Sequence, residues 1–147
     1  MYSKILVATD GSELSVRALR TAAYLAKAEK SAVVVVTVTS SMMSVGYSAI
    51  GDAAVEMIAV EAEAATDHAK ALLEAARAVL DSEGVDADYV HVRDHEPADG
   101  IIKTATDTGP DLIIMGSHGR RGIQRLLLGS EASHVLTLSK VPVLIVK

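Results

Sequence analysis

The segment from residue 115 to residue 130 has the residue types of an anion-binding loop. It carries glycines at positions 116, 119, 122 and 129, and Ser130 follows the last of them. Glycine permits positive φ and lets a ligand reach the backbone without a Cβ in the way, and consecutive amides in such turns form concave anion sites. Ser130 is a good N-cap type for a helix predicted over residues 131–138, whose free first amides also attract phosphate. Two amide clusters, at residues 116–119 and at Gly129 and Ser130, could therefore hold one polyphosphate.

The same spacing also fits an ordinary strand-to-helix loop whose glycines only permit tight turns. His118 would lie near the phosphates in the first interpretation, and Arg120 could either clamp phosphate oxygens or stand in a solvated loop. Ser117 and His118 do not form the G-x-S-x-G pattern of a serine hydrolase, so nucleophilic catalysis is not expected. The chain has no G-x-x-x-x-G-K-[ST], and no G-x-G-x-x-G follows the first strand. P-loop and Rossmann dinucleotide sites are therefore excluded.

Length, charge and composition exclude further classes of protein. The 147 residues predict a single domain, and half of them are hydrophobic, enough for a substantial core. The chain has no Trp or Phe, only four Tyr, and a net charge of −5, which argues against nucleic acid as a partner. Cysteine is absent, so disulfides and thiol catalysis are excluded. Because no apolar run could span a bilayer and no signal peptide is recognisable, we expect a cytoplasmic protein without membrane contact.

Apolar runs and helical periodicity predict five strands and four helices in alternation. The predicted strands cover residues 5–8, 33–38, 87–92, 111–115 and 141–146. The predicted helices cover residues 13–29, 53–82, 97–108 and 131–138. Wholly apolar strands are typical of a parallel sheet covered on both faces, so we predict an open, doubly wound parallel α/β sheet in one domain. The more polar strand at residues 87–92 indicates an edge, and Pro142 belongs at a strand start or an edge.

The long second helix is predicted to bury one apolar stripe along its whole length. The stripe comprises Val55, Ile58, Ala62, Ala65, Ala69, Leu72, Ala76 and Val79. The segment before this helix, residues 40–52, has no clear periodicity and is long for a connection in a compact domain. It is interpreted as either a lid or a disordered loop.

Ligands of open α/β sheets bind at the carboxyl ends of the strands, where the strand order reverses. That rule selects residues 9–11, 38–39 and 115–119, which are far apart in the sequence. Thr9 and Asp10 follow the first strand. Asp10 could accept hydrogen bonds from ribose hydroxyls or face a metal, or it could form a helix cap or an Asx-turn beside Gly11. Val38 and Met115 could supply an apolar slot for a base.

Three blocks of the chain together resemble the universal stress protein family. The spacing Gly116-x2-Gly119-x9-Gly129-Ser130 is similar, position for position, to the nucleotide-binding pattern of that family. The opening block at residues 4–12 and the closing block at residues 141–146 also resemble the family. The three blocks fall in the same order as in the family and extend nearly from end to end.

The resemblance implies a sheet ordered 3-2-1-4-5, of the adenine nucleotide α-hydrolase-like type, and a homodimer paired through the last strand, residues 141–146. It implies ATP as the ligand, with AMP or ADP as alternatives, often with a divalent cation such as Mg2+ or Mn2+. Asp10 would lie by the ribose and phosphates, and Val38 would contact the adenine. The positions that would hold the phosphates are Gly116, Gly119, Gly129 and Ser130.

Three positions depart from the family pattern. Thr37 stands where many relatives have histidine, and His95 stands where a glycine is often found before Pro97. Glu131 directly follows the phosphate cradle, at a position that is usually uncharged. A carboxylate there is favoured by the helix dipole, but it would also repel a terminal phosphate. We therefore expect Glu131 to lower the affinity for ATP relative to AMP, or to help recruit a metal.

The resemblance favours a dimeric ATP-binding sensor or signalling module of the stress response. The sequence shows no evident general base or arginine finger for efficient phosphoryl transfer. Two other functions stay open: a slow ATP hydrolase or nucleotidyl-transfer enzyme, and a nucleotide-free dimer that serves as an interaction scaffold.

Overall fold

The computed structural model describes residues 1–40, 52–119 and 128–147. Within these ranges, five strands alternate with four helices. The strands are β1 (Lys4–Ala8), β2 (Ala32–Thr39), β3 (Asp88–Arg93), β4 (Leu112–Gly116) and β5 (Val143–Val146). The helices are α1 (Glu13–Glu29), α2 (Asp52–Ser82), α3 (Pro97–Thr108) and α4 (Ser130–Leu138).

All five strands pair in parallel in one sheet, in the order β3-β2-β1-β4-β5. This confirms the predicted open parallel sheet, the implied strand order and the edge position of β3. The chain builds the sheet outward from β1 in one direction, then returns to add β4 and β5 on the other side. The strand order therefore reverses between β1 and β4, and the carboxyl ends of these two strands are where ligands bind in such sheets.

Two hydrophobic clusters cover the two faces of the sheet. Ile5 and Val7 of β1 pack against α1 and α2, whereas Leu6 packs against α3 and α4. All three side chains are fully buried, because successive residues of a strand point to opposite faces and both faces are covered. The apolar runs of β1 and β4 are thus explained by their central positions.

α1 and α3 span the predicted residues 13–29 and 97–108, and local signals mark the start of α1 and both ends of α3. Ser12 caps α1, because its hydroxyl accepts a hydrogen bond from the backbone N–H of Ser15 at 3.2 Å. α3 has Pro97 in its first turn and the left-handed Gly109 (φ 63°) as its C-cap. Proline suits a helix start, and glycine accepts the positive φ of the cap without steric cost.

β5 begins two residues later than predicted. The Val141 amide donates to Ser139 Oγ at 3.2 Å, and that hydroxyl donates to the Val141 carbonyl at 2.7 Å. This local turn occupies Val141, and Pro142 has no N–H to pair. The carbonyl of Pro142 still accepts a bond from Ile113 at 3.0 Å, so the proline stands immediately before an edge strand.

The predicted stripe of α2 is buried only in the C-terminal half of the helix. Ala69 and Ala76 are buried, but Val55 is 54% exposed and Ala62 is also exposed. A Cβ built on Gly11, just beyond β1, would lie 2.5 Å from Cδ2 of Leu72. α2 therefore passes the carboxyl edge of the sheet close to Leu72, and its earlier turns extend beyond the surface that could bury them. The prediction of a stripe buried along the whole helix was wrong for this reason.

Two predicted features lie outside the described residues. They are Arg120 and most of the segment interpreted as a lid or loop, residues 41–51. None of the helices in the described ranges is both long enough and apolar enough to cross a membrane.

Candidate functional site

The loops that follow β1 and β4 meet at the carboxyl edge of the sheet. A Cβ built on Gly119 would lie 2.8 Å from Oδ2 of Asp10. Any side chain at position 119 would therefore have to displace the carboxylate. This contact brings together two of the three segments that the sequence selects, although residues 10 and 119 are far apart in the chain.

Asp10 holds the first loop in a fixed turn. Its Oδ1 accepts a hydrogen bond from the Ser12 amide at 2.9 Å, which is an Asx-turn. Gly11 has a φ of 78°, a conformation that side-chain-bearing residues rarely adopt. Asp10 thus forms the Asx-turn that was predicted from the sequence as one alternative. The same turn places Oδ2 beside Gly119.

Thr9 supports this loop from inside the protein. It is buried, and its hydroxyl lies 3.3 Å from Ser15 Oγ and 3.4 Å from the Gly11 amide. The structure therefore places the Thr9 side chain behind the loop and not on its outer surface.

Close backbone approach accounts for glycine at position 129. A Cβ at Gly129 would lie 2.7 Å from the carbonyl oxygen of Ser117. The φ of Gly129 is −58°, so this glycine is not needed for a left-handed turn. Two reasons for glycine were predicted from the sequence, a positive φ and the absence of a Cβ. Only the absence of a Cβ applies at position 129.

The amide of Gly129 is engaged within the protein. It donates to the Ser117 carbonyl at 2.9 Å, and Ser117 in turn donates its own amide to the Val146 carbonyl at 2.8 Å. The prediction that the Gly129 amide belongs to a ligand-facing cluster is therefore wrong for that nitrogen. The bond has another consequence, because it ties the start of α4 to the end of β4.

The first turn of α4 presents the amides that suit an anion. Gly129 is the N-cap and Ser130 is the first helical residue, one position later than the predicted capping role. The first intrahelical bond is donated by Ser133 to the Gly129 carbonyl at 2.9 Å, and Gly129 has no side chain with which to cap the helix. The amides of Ser130 and Glu131 thus lack an intrahelical acceptor, as at any helix start.

Two side chains beside this turn make specific contacts. Glu131 directs Oε2 at the backbone amide of Ala98 in α3, at 2.8 Å. His118 is half-buried, and its Nδ1 lies 3.1 Å from Ser117 Oγ. Ser117 is itself buried, so this pair stabilises the loop from within.

An apolar surface lies on the α3 side of the sheet at the ends of β2 and β4. Val38 and the buried Met115 belong to the same hydrophobic cluster. A Cβ on Gly100 of α3 would lie only 2.6 Å from both γ-carbons of Val38. Gly100 was not predicted from the sequence to have a role, although a glycine inside a predicted helix often has a packing reason.

A histidine stands beside the end of β2. His91 Nε2 lies 2.8 Å from Thr39 Oγ1. Burial, and secondarily the positive charge of Arg93, lower the pKa of His91. This imidazole is thus held toward its neutral form, next to the residue that follows Val38.

No group of three or more metal-ligating side chains occurs in the part of the chain that the structure describes.

Comparisons with known proteins agree with this architecture. A model of the universal stress protein family matches residues 1–147. The universal stress protein YxiE of Bacillus subtilis is 33% identical over 154 aligned residues, which cover 100% of both chains.

Two solved structures have the same fold. The hypothetical protein MJ0577, a universal stress protein of Methanocaldococcus jannaschii, superimposes with a TM-score of 0.84 at 31% identity, over 100% of this chain and 96% of that chain. A universal stress protein from Archaeoglobus fulgidus, in complex with dAMP, gives a TM-score of 0.70 at 27% identity, over 99% of this chain and 98% of that chain.

Proposed function

Because the chain belongs to the universal stress protein family, we propose that it binds an adenine nucleotide, ATP in the first place, where the loops after β1 and β4 meet α4. One observation carries the proposal. The first-turn amides of Ser130 and Glu131 have no acceptor within their helix, and the Gly129–Ser117 bond fixes them beside the β4 loop. Such a turn favours a phosphate group through both its amides and its dipole.

The remaining groups suit the other parts of a nucleotide. Asp10 stands next to Gly119, where its carboxylate can accept hydrogen bonds from ribose hydroxyls. Val38 offers apolar surface for the adenine, with Met115 packed behind it in the same cluster. The Gly116–Gly119 loop would flank the phosphates, together with His118. Arg120, which lies outside the described residues, would add positive charge.

A relative supports the ligand class. The related Archaeoglobus fulgidus protein was solved with dAMP, which has the adenine base and one phosphate of the proposed ligand. A divalent cation, Mg2+ or Mn2+, would be held mainly by the phosphates of ATP, since phosphate oxygens are its preferred ligands.

We further propose that the protein acts as a homodimeric sensor, paired through β5. β5 is an edge strand, and an uncovered edge is a template for pairing with another chain. Leu136, Leu138 and Leu144 on α4 and β5 are each 38–43% exposed. An apolar surface beside an open edge suits burial against a second copy. Sedimentation of the wild type against Leu144→Lys tests this, with a dimer expected for the first and a shift toward monomer for the second.

Thermal melting with nucleotides tests the binding proposal. ATP at about 100 times its Kd should stabilise the fold by about 2.7 kcal/mol. AMP should stabilise the protein as well, and GTP should do so less if Val38 contacts the base. Unchanged melting at saturating ATP, with no nucleotide released by acid from the purified protein, would favour a nucleotide-free scaffold instead. Sustained product release at multiple turnovers with Mg2+ would favour an enzyme over a sensor.

A further inference from the structure

One carboxylate joins the start of α4 to the start of α3. Glu131 Oε2 accepts the Ala98 amide at 2.8 Å, and Ala98 is fully buried. The N-cap of α3, Glu96, provides no side-chain cap of its own. Without Glu131, the Ala98 amide would be a buried donor in the first turn, and an unsatisfied donor of that kind destabilises a fold. Glu131 of α4 thus caps α3, whose N-cap residue Glu96 makes no side-chain capping bond.

The same turn of α3 presses on the apolar surface at the end of β2. Gly100 stands two residues after Ala98, is buried, and would place a Cβ 2.6 Å from both γ-carbons of Val38. Thr104 anchors this turn further, since its hydroxyl donates to the Gly100 carbonyl at 2.8 Å. The first turn of α3 therefore touches Glu131 on one side and Val38 on the other.

We infer that Glu131 is a positioning residue that couples the phosphate end of the proposed site to its base end through α3. This inference rests on the proposed nucleotide function. The backbone amide of Glu131 lies in the first turn of α4, which is proposed to face the phosphates. The side-chain carboxylate of Glu131 accepts the Ala98 amide at the start of α3, and α3 packs against Val38. The carboxylate lies at the start of two helices, where both dipoles favour a negative charge. Glu131 consequently acts on the base through structure and not by repelling the terminal phosphate.

The decisive experiment measures the affinities of adenosine, tripolyphosphate and ATP separately for the wild type, Glu131→Gln and Glu131→Ala. Gln keeps an oxygen that can accept the Ala98 amide, whereas Ala does not. Glu131→Ala should weaken adenosine binding about fivefold, the effect of losing a helix cap, and Glu131→Gln should restore it. Tripolyphosphate affinity should not differ between the two variants, because both lack the carboxylate charge and both keep the backbone amides of the α4 turn.

Two further variants separate position from charge. Glu96→Gln removes a carboxylate at the start of the same helix, where it makes no capping bond, and all three affinities should be unchanged. Gly100→Ala would push Val38 aside directly while Glu131 stays unchanged. Adenosine binding should therefore weaken, while tripolyphosphate binding stays at the wild-type level.

A measurement without ligand tests the inference even if a variant loses binding because its fold is less stable. The methyl resonances of Val38 should shift in Glu131→Ala and stay in place in Glu131→Gln. Unmoved Val38 methyls in Glu131→Ala would overturn the inference, as would equal losses of adenosine affinity in both Glu131 variants. If the wild type binds none of the three ligands, both the proposed function and the coupling fail. The Val38 shift would then still show that Glu131 positions α3 against Val38.

Discussion

The two ends of the sheet handle their polar groups in opposite ways. At the amino end, the Asp111 carboxylate accepts the amides of Ser3 and Lys4 and the Ser3 hydroxyl, at 2.6–3.1 Å. Lys4 Nζ donates to the Thr108 carbonyl at 2.8 Å. The bonds that the Asp111 carboxylate accepts from Ser3 and from the Lys4 amide hold the pKa of Asp111 down to about 2, with those from Ser3 contributing most. The amino end is thus closed by bonds within the chain.

At the carboxyl end, glycines bring backbone segments together and the first turn of α4 carries amides that have no acceptor in their own helix. A Cβ at Gly129 would meet backbone and one at Gly119 would meet the Asp10 carboxylate, and the amides are those of Ser130 and Glu131. The comparison indicates that the two ends of the sheet have different roles. One end supplies stability through paired polar groups, and the other holds in position amides that have no acceptor within their own helix. Substitutions at the carboxyl end should therefore weaken binding, whereas substitutions at the amino end should affect stability alone.

Gly129→Val should have the largest effect. Its Cβ would meet the Ser117 carbonyl at 2.7 Å and force α4 away from β4. We expect overpacking to destabilise the fold by about 1–3 kcal/mol and ATP affinity to fall about tenfold or more. Urea unfolding and calorimetric titration measure the two effects. Wild-type ATP affinity in a folded Gly129→Val protein would contradict the assignment of this turn.

Gly119→Ala should act mainly on binding. Its Cβ would displace the Asp10 carboxylate, which is the end of a side chain and can move without unfolding the loop. ATP affinity should fall several-fold while the urea midpoint changes little. The matched control is a glycine-to-alanine change at the other end of the sheet, and a similar binding loss in both variants would argue against separate tasks.

That control, Gly109→Ala, should act on stability alone. Gly109 has a φ of 63° and no atom within 4 Å of its built Cβ, so only the left-handed conformation opposes alanine. The expected cost is about 1 kcal/mol, with unchanged ATP affinity. The same urea and titration measurements check both halves of the prediction.

Asp111→Asn should give the smallest effect, and it should depend on pH. A carboxyl whose folded pKa is depressed stabilises the fold above its unfolded value and loses that contribution as the pH falls through the folded pKa. For Asp111 this window runs from about 4 down to about 2, since its pKa falls from 3.8 to about 2. The stability difference between wild type and Asp111→Asn should be constant above this window and should shrink within it. A difference that is flat down to pH 2 would show that the Ser3 bonds do not hold the charge.

Features with strong local signals were predicted well from the sequence. The helices predicted over residues 13–29 and 97–108 occupy those residues in the structure, with Ser12 at the start of α1 and Pro97 and Gly109 at the two ends of α3. The apolar runs of the central strands predicted a sheet covered on both faces. The strand order came from the family resemblance, and the structure confirms it.

The failures concern contacts that local sequence does not encode. Periodicity showed which residues of α2 share a face, but not that the sheet ends near Leu72 and leaves Val55 uncovered. The glycine spacing predicted a cradle, yet which carbonyl takes the Gly129 amide depends on how two distant loops meet. The reach of Glu131 to Ala98 likewise depends on the packing of two helices, each formed by a different part of the chain.

The most direct test of the account follows the Ser130 and Glu131 amides in proton–nitrogen correlation spectra during titration. With ATP and with tripolyphosphate, we predict that both amide resonances shift and saturate at the Kd found by calorimetry, and that adenosine moves them much less. Tight ATP binding that leaves both resonances in place would contradict the central claim that the first turn of α4 holds the phosphates.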